Sequence, residues 1–422
     1  MPASGLGGDV QRTLAPILPA GVDPGLRNQT IVAPNIHSPY TEQWSLGVQR
    51  EFGSRMVAEV RYVGNHSVGL FQNTSPNVSL TPLIQAGFGN LIPPGLTPCT
   101  TPGAPGTASG YNDCAHRKVL ERANTAFSIY HGLQSRLNIQ NWHGVTAGIS
   151  YTFSKNIDNV SEIFSTLGGG NTVSFPQNPF NGNQPERANS GLDYPHLASI
   201  YMLYDVPWFH DQRGWMGRVL GGWQVNPVWR YTSGQPYTVI QTRGAGPGAG
   251  ICDPSGVFST TFSACRPFLS NNAAPIDTVG QCTNPTAAGC GLTNFYTGDP
   301  VAASAVHWVV NDTSSQKFFG SPFLGAGRNR QRGDSINNVN LAVIKGVKLS
   351  ERFNMQLRAT AYNVFNRDFR GNPDPIIDDG NFRDAQGSFG NTFFNPTGAN
   401  QTNSVFSGID RRRIELGAKI IF

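Results

Sequence analysis

Six cysteines carry the clearest chemistry in this chain, and their placement decides what that chemistry is. Cys99 and Cys114 fall in one Pro/Gly-rich stretch, and Cys252, Cys265, Cys282 and Cys290 in another, none within a strand-like segment. An even number in each stretch fits local disulfides formed in an oxidising compartment. Cys99 is expected to pair with Cys114, while the other four allow three connectivities. Zinc is the sharper alternative, but neither CxxC nor HxxxH spacing accompanies the cysteines. The histidines are scattered, and no HExxH, GxSxG or GxxxxGK[ST] string occurs. Asp374, Asp378, Asp379 and Asp384 offer the oxygen ligands that calcium prefers, yet their spacing matches no EF-hand loop and a solvated acidic loop is the simpler reading. Gly168, Gly169 and Gly170 lack the strand-to-helix setting of a phosphate cradle. No constellation supports catalysis, and neither a cofactor nor a metal is assigned.

Composition narrows the class. The 422 residues include 49 Gly and 30 Pro, are 10% aromatic and only 14% charged, against about 25% charged for an average soluble domain. The net charge of +5, from 31 basic and 26 acidic residues, is spread along the chain, too diffuse for a nucleic-acid footprint. Mean hydropathy is −0.28, and no window reaches the roughly eighteen apolar residues of a transmembrane helix. Alternating strands of a membrane barrel remain open, because alternation hides their hydrophobicity. The first residues, MPASGLGGDVQRTLAP, show neither the basic nor the apolar region of a secretory signal.

Period-two alternation organises the rest. Met1 to Ser38 has no sustained period and reads as loop. Thr41–Glu51 and the segment from Arg55 (RMVAEVRYVGNH) form a hairpin, then Ser128–Gln140 with Val145–Ile157, Tyr194–Val206 with Gly222–Ser233, and Ile336–Leu349 with Arg352–Phe365. Pro227 inside the sixth of these strands predicts a bulge or an edge. Long Pro/Gly-rich stretches separate the pairs, the first from about Ser67 to Thr125 and the longest running to Asp334. The chain ends in RRRIELGAKIIF, where Ile414, Leu416, Ala418, Ile420 and Phe422 oppose Arg413, Glu415, Gly417, Lys419 and Ile421. Strand, short turn, strand, long loop, four times over and then one closing strand is the pattern of transmembrane barrels, with periplasmic turns and extracellular loops. Strand-borne aromatics, Trp44, Tyr62, Tyr130, Tyr151, Tyr204, Trp223, Trp229, Tyr231 and Tyr362, suit interfacial girdles or ordinary packing. The expected fold is all-β, an antiparallel transmembrane β-barrel segment of about nine strands whose barrel is incomplete.

Four segments together, SPYTEQWSLGVQREFGSRMVAEVRYVGNHS, LGGWQVNPVWRYTSGQPYTV, GAGRNRQRGDSINNVNLAVIKGVKLSERFNMQLRATAYNVFNR and FSGIDRRRIELGAKIIF, resemble the C-terminal half of the barrel in TonB-dependent outer-membrane receptors of the Oar-like branch. The resemblance covers Ser38 to Phe422. It implies a 22-stranded barrel energised through an N-terminal plug by the TonB system, so residues 39–422 are expected to be the C-terminal part of a longer barrel and 1–38 an incomplete upstream segment. The expected partners are outer-membrane lipid, the barrel-assembly machinery reading the terminal Phe422, the TonB system only through a plug outside this sequence, and a large ligand of unknown identity. Candidate lumen residues are Glu59, Arg61, Arg136, Arg230, Arg358, Glu415 and Lys419, whose simpler role is to solvate the interior wall. Two rival functions are a surface adhesion or structural protein without transport, and a secreted β-sandwich binding carbohydrate.

Overall fold

Alternating apolar and polar residues at period two make strands with two chemically distinct faces, and pairing in register extends each face across a sheet. The computed structural model of the chain describes residues 29–100, 110–114, 116, 119–161, 175–181, 186–241, 251–252, 265–350, 353–367, 375–378 and 411–421. Its strands are β1 (Gln29–Val32), β2 (Tyr40–Phe52), β3 (Met56–Thr74), β4 (Val119–Trp142), β5 (Val145–Asp158), β6 (Ala188–Asn189), β7 (His196–Asp205), β8 (Trp223–Thr232), β9 (Pro236–Tyr237), β10 (Phe268–Leu269), β11 (Val279–Cys282), β12 (Leu292–Asn294), β13 (Trp308–Val309), β14 (Gln331–Arg332), β15 (Ile336–Lys348), β16 (Asn354–Tyr362) and β17 (Arg413–Ile421).

The large sheet runs β17-β16-β15-β8-β7-β5-β4-β3-β2, with β1 and β6 added at its margins. Every pairing along this path is antiparallel. Register sorts the side chains without ambiguity. Gln49, Glu59, Arg136, Ser150, Ser199, Arg230 and Asn338 stand opposite one another from β2 to β15. One residue along, Arg50, Ala58, Leu137, Ile149, Ile200, Trp229 and Val339 form the neighbouring row. Successive residues point to opposite faces, so the sheet has one polar wall and one apolar wall. The pattern continues to β17, where Val343, Ala359 and Leu416 oppose one another beside Ala342, Thr360 and Glu415.

Among the described residues most of the apolar wall is uncovered by protein: Leu46 is 77% exposed and Leu416 80%. In the long strands only Val119, Ala123, Ala126, Ala147 and Ala342 are buried apolar residues among those described. Of the strand-borne aromatics, Trp44, Tyr62, Tyr151, Tyr204, Trp223, Trp229 and Tyr231 fall on the apolar wall, whereas Tyr130 and Tyr362 share the rows of Asn65 and Arg413 on the polar one. The Trp44 indole lies flat over Gly64 opposite it, in space that a Cβ would fill. No helix among the described residues is long and apolar enough to cross a membrane.

Three sequence expectations are corrected. Residues 29–32, placed in a loop covering 1–38, form β1, which pairs in parallel with Val119–Arg122 of β4. The stretch from Ser67 to Thr125 is not loop throughout: β3 continues to Thr74 and β4 starts at Val119, at 19 and 24 residues longer than the about nine to eleven a bilayer needs. Apolar alternation lapses there because these extensions lie beyond the apolar band. Pro227 creates neither a bulge nor an edge. It sits in central β8, paired with Leu341 of β15, and the pairings to β7 on either side of it, Tyr201 with Val228 and Tyr204 with Val225, keep one register. Proline removes a donor on one side only, and a local lapse absorbs that loss.

The two walls make opposite demands at adjacent positions. In a lipid bilayer Ile149→Arg, on the apolar wall of β5, is expected to lower unfolding free energy by about 2–4 kcal/mol, and Ser150→Arg by much less. Denaturant titration in bilayers checks this, and equal costs would refute the assignment of faces.

Candidate functional site

The seven candidate lumen residues all fall on the polar wall. Glu59 opposes Arg136, Arg136 opposes Ser150, Arg230 opposes Asn338, Arg358 opposes Gly417, and Glu415 and Lys419 oppose Thr360 and Gln356. They do not converge on one point. Arg61 pairs with Glu59 at 2.5 Å, Arg136 donates to Asn138 at 3.3 Å, Arg358 to Thr360 at 2.9 Å, and Arg413 pairs with Glu415 at 2.9 Å. Local pairing of this kind solvates a wall and leaves no concentrated site.

The concentration of buried groups lies at the loop end of the sheet. Residues between β8 and β15 form a four-stranded sheet, β10-β13-β11-β12, and a two-stranded one, β14-β9. Tyr237, Val239, Val279, Trp308, Val310 and Ala326 pack there with Ile377 from the β16–β17 loop. Leu83 and Phe88 from the β3–β4 loop pack with Ile251 and Phe323, joined by Phe180 from the β5–β6 loop. The loops therefore meet in one unit. The helix Thr313–Phe319 enters it through a capping box between Asp312 and Ser315. All six cysteines are bonded, Cys99 to Cys114, Cys252 to Cys265 and Cys282 to Cys290. The expected first pairing forms, and one of the three open connectivities is selected, in which each cysteine takes its nearest partner in sequence.

A set of buried ion pairs fastens this unit to the sheet. Arg328 donates to the carboxylate and the carbonyl of Asp158 at the end of β5, to Ser161 Oγ at 3.0 Å and to the Glu186 carbonyl at 3.2 Å. Both side chains of the Arg328–Asp158 pair are almost fully buried, as are those of Arg266 and Glu186. Arg332 pairs with Asp193, which also receives Lys155 at 3.1 Å and the Asn156 amide at 2.7 Å. Asn329, at φ +50°, donates to the Asn189 carbonyl at 2.8 Å, and its own amide donates to Thr238 Oγ1 at 2.9 Å. Sequence reasoning missed this clamp. Its signal was the arginine-rich GRNRQR run at 327–332, three cations in a Gly/Pro-rich loop otherwise poor in charge.

Among the described residues no group of His, Cys, Asp and Glu is arranged to hold a metal. Asp378 is described, while Asp374, Asp379, Asp384, Gly168, Gly169, Gly170 and Phe422 lie outside the described residues. The Tyr237 phenol is pushed well above its ordinary value of 10.0 by burial and then by the Asp334 carboxylate, and burial raises Tyr194 too.

Two measurements test the unit. Arg328→Met leaves the Asp158 carboxylate buried without its cation and is expected to cost about 3–5 kcal/mol, seen as a lower melting temperature by Trp fluorescence; an unchanged melt would show the pair to be dispensable. Tyr237 sets an alkaline limit. The phenol is neutral when protonated, and above pH 10.0 the unfolded chain releases a proton that the folded unit retains. Stability is therefore full below that pH and falls as pH rises, by at most about 1.4 kcal/mol per pH unit. Tyr237→Phe should flatten this slope in denaturation midpoints compared at about pH 9 and about pH 11, and an unaltered slope would assign it elsewhere.

The sequence of the chain matches the family model of the outer membrane beta barrel domain over residues 9–403. No curated protein matches it. Similar solved structures include the outer membrane transporter YddB from Escherichia coli, at 12% identity and a TM-score of 0.38, covering 93% of this chain and 34% of that one. The FrpB iron transporter from Neisseria meningitidis is similar at 9% identity and a TM-score of 0.34, with 93% and 32% covered. The ferripyoverdine receptor of the outer membrane of Pseudomonas aeruginosa gives 8% identity and a TM-score of 0.35, with 91% and 27% covered. The chain thus spans about a third of the length of these structures, 34%, 32% and 27%. With its all-β, largely antiparallel sheet and a family match over residues 9–403, the chain belongs to the outer membrane beta barrel domain family.

Proposed function

We propose that this chain is the C-terminal barrel segment of a TonB-dependent, Oar-like outer-membrane receptor that takes up or binds a large ligand at the cell surface. The observation that carries the reading is the polar wall, continuous in register over the sheet from β2 to β17 and capped at its loop end by the clamped, disulfide-tied unit. Transport needs lumen-facing polar side chains, and this wall supplies them in Glu59, Arg61, Arg136, Arg230, Arg358, Glu415 and Lys419. Disulfides in the loop unit suit an oxidising compartment, and the pattern of long loops at one end and short turns at the other supports extracellular loops and periplasmic turns. Outer-membrane lipid covers the apolar wall, the barrel-assembly machinery reads the closing strand, and the TonB system acts through a plug supplied outside these residues.

A second reading, surface binding without transport, draws on a specific observation: the loop unit has its own cores of buried apolar side chains. Peptide tags separate both from a secreted sandwich. A tag after Gly298, exposed at φ +79° in the loop unit, should bind antibody on intact cells, and one after Gly53 only once the outer membrane is opened. Equal access to both tags, or recovery of the chain in the detergent-free soluble fraction, would defeat the barrel reading. Uptake lost on collapse of the inner-membrane proton gradient would favour transport over adhesion.

A further inference from the structure

The connection between β7 and β8, Pro207 to Gly222, is the long exception among the short turns, and the polar wall makes no use of it. It contains the helix Gly214–Leu220. We propose that this segment is a membrane-surface anchor, seated in the phospholipid headgroup layer along the turn end of the apolar wall. The inference rests on the reading that lipid covers that wall.

Position comes first. Trp223 and Lys345 oppose each other on the apolar wall, two residues from the Val225–Val343 pair. Trp223 Nε1 donates to the Val219 carbonyl at 3.0 Å, and the Lys345 ammonium donates to the Gly221 carbonyl while lying 5.2 Å from the Trp223 ring centroid. Lys345 is only 8% exposed although it belongs to the apolar wall, because the segment folds over it on that side. The segment is also pinned. The buried Gln212 amide donates to the Gly346 carbonyl at 3.0 Å, and its oxygen accepts from the Lys348 amide at 3.0 Å. Gly217 packs so closely on Gln212 that a Cβ would lie 2.8 Å from its carbonyl carbon.

What the segment turns outward is apolar and aromatic. Trp215 is 76% exposed, Trp208 69%, Val219 56%, Phe209 52%, Met216 49% and Leu220 47%. A protein surface facing only water rarely gathers so many. Interleaved Arg213 and Arg218 outnumber the one acid, Asp211, which suits anionic phosphate. Tryptophan favours the headgroup level, where its ring is buried and its N–H stays wet. The segment meets the apolar wall at Trp223, whose Nε1 donates to the Val219 carbonyl, so a protein partner there would have to displace lipid along the same rim.

The test uses the whole chain reconstituted in bilayers of phosphatidylcholine and phosphatidylglycerol, with brominated phospholipids as quenchers. W208F/W215F should lower the quenching caused by bromine placed near the ester carbonyls, leaving the share of Trp223 at the same rim, whereas W229F should lower quenching by mid-chain bromine. If Trp229 is quenched by lipid but Trp208 and Trp215 respond only to aqueous iodide, or to neither quencher, the anchor is overturned while the barrel stands. If Trp229 is not quenched by lipid, the barrel reading fails and the anchor falls with it. Quenching of Trp208 and Trp215 that is lost as the protein is concentrated would identify a second copy as the occupant and overturn the lipid assignment.

Discussion

Every backbone N–H and C=O that a strand carries into hydrocarbon must find its partner on a neighbouring strand, because lipid offers none and an unpaired group costs several kcal/mol. The sheet meets this demand with a continuous ladder, and the short connections at one end make neighbouring strands antiparallel along its whole path. The same demand explains why register matters more than composition. One slip would turn Ile149, Ile200 and Trp229 inward and Ser150, Ser199 and Arg230 toward lipid. The ladder holds both walls at once, and a lapse such as the one at Pro227 is tolerated only because the register resumes unchanged beyond it.

Outside the hydrocarbon the balance of forces is different. Burying Arg328 with Asp158 and Arg266 with Glu186 costs desolvation that the Coulomb attraction scarcely repays. What the pairs contribute is specificity. Arg328 reaches Asp158, Ser161 and Glu186 at once, so a shift of the loop unit would strand a buried charge rather than merely loosen a contact. Hydrophobic packing of Tyr237, Trp308 and Ile377 gives the unit its cohesion, and the arginines fix where it sits on the sheet.

The nine long strands were legible in the sequence because period two is a local signal: Val145–Ile157 was expected and Val145–Asp158 is observed. Facing was legible for the same reason, and all seven candidate residues reached one wall. What escaped was everything that depends on distant partners. β1 is four residues long and exists only because Val119–Arg122 lies beside it. The strands of the loop unit are two to four residues each, too short for periodicity to register. The role of Arg328 was not legible, since nothing near it in sequence announces Asp158, 170 residues away. The even cysteine count showed that bridges form in these loops, but the partners of Cys252 and Cys282 needed the fold.

Among the described residues β2 pairs only with β3 and β17 only with β16, and both edge strands are exposed along their whole length. Hydrocarbon offers such an open ladder no partners, so these two edges carry the largest unmet backbone demand of the sheet. The loop unit reaches toward both of them: Leu83 and Phe88 of the β3–β4 loop pack with Ile251 and Phe323, and Ile377 before β17 packs with Tyr237 and Trp308, so the β8–β15 connection touches loops near each end of the arc.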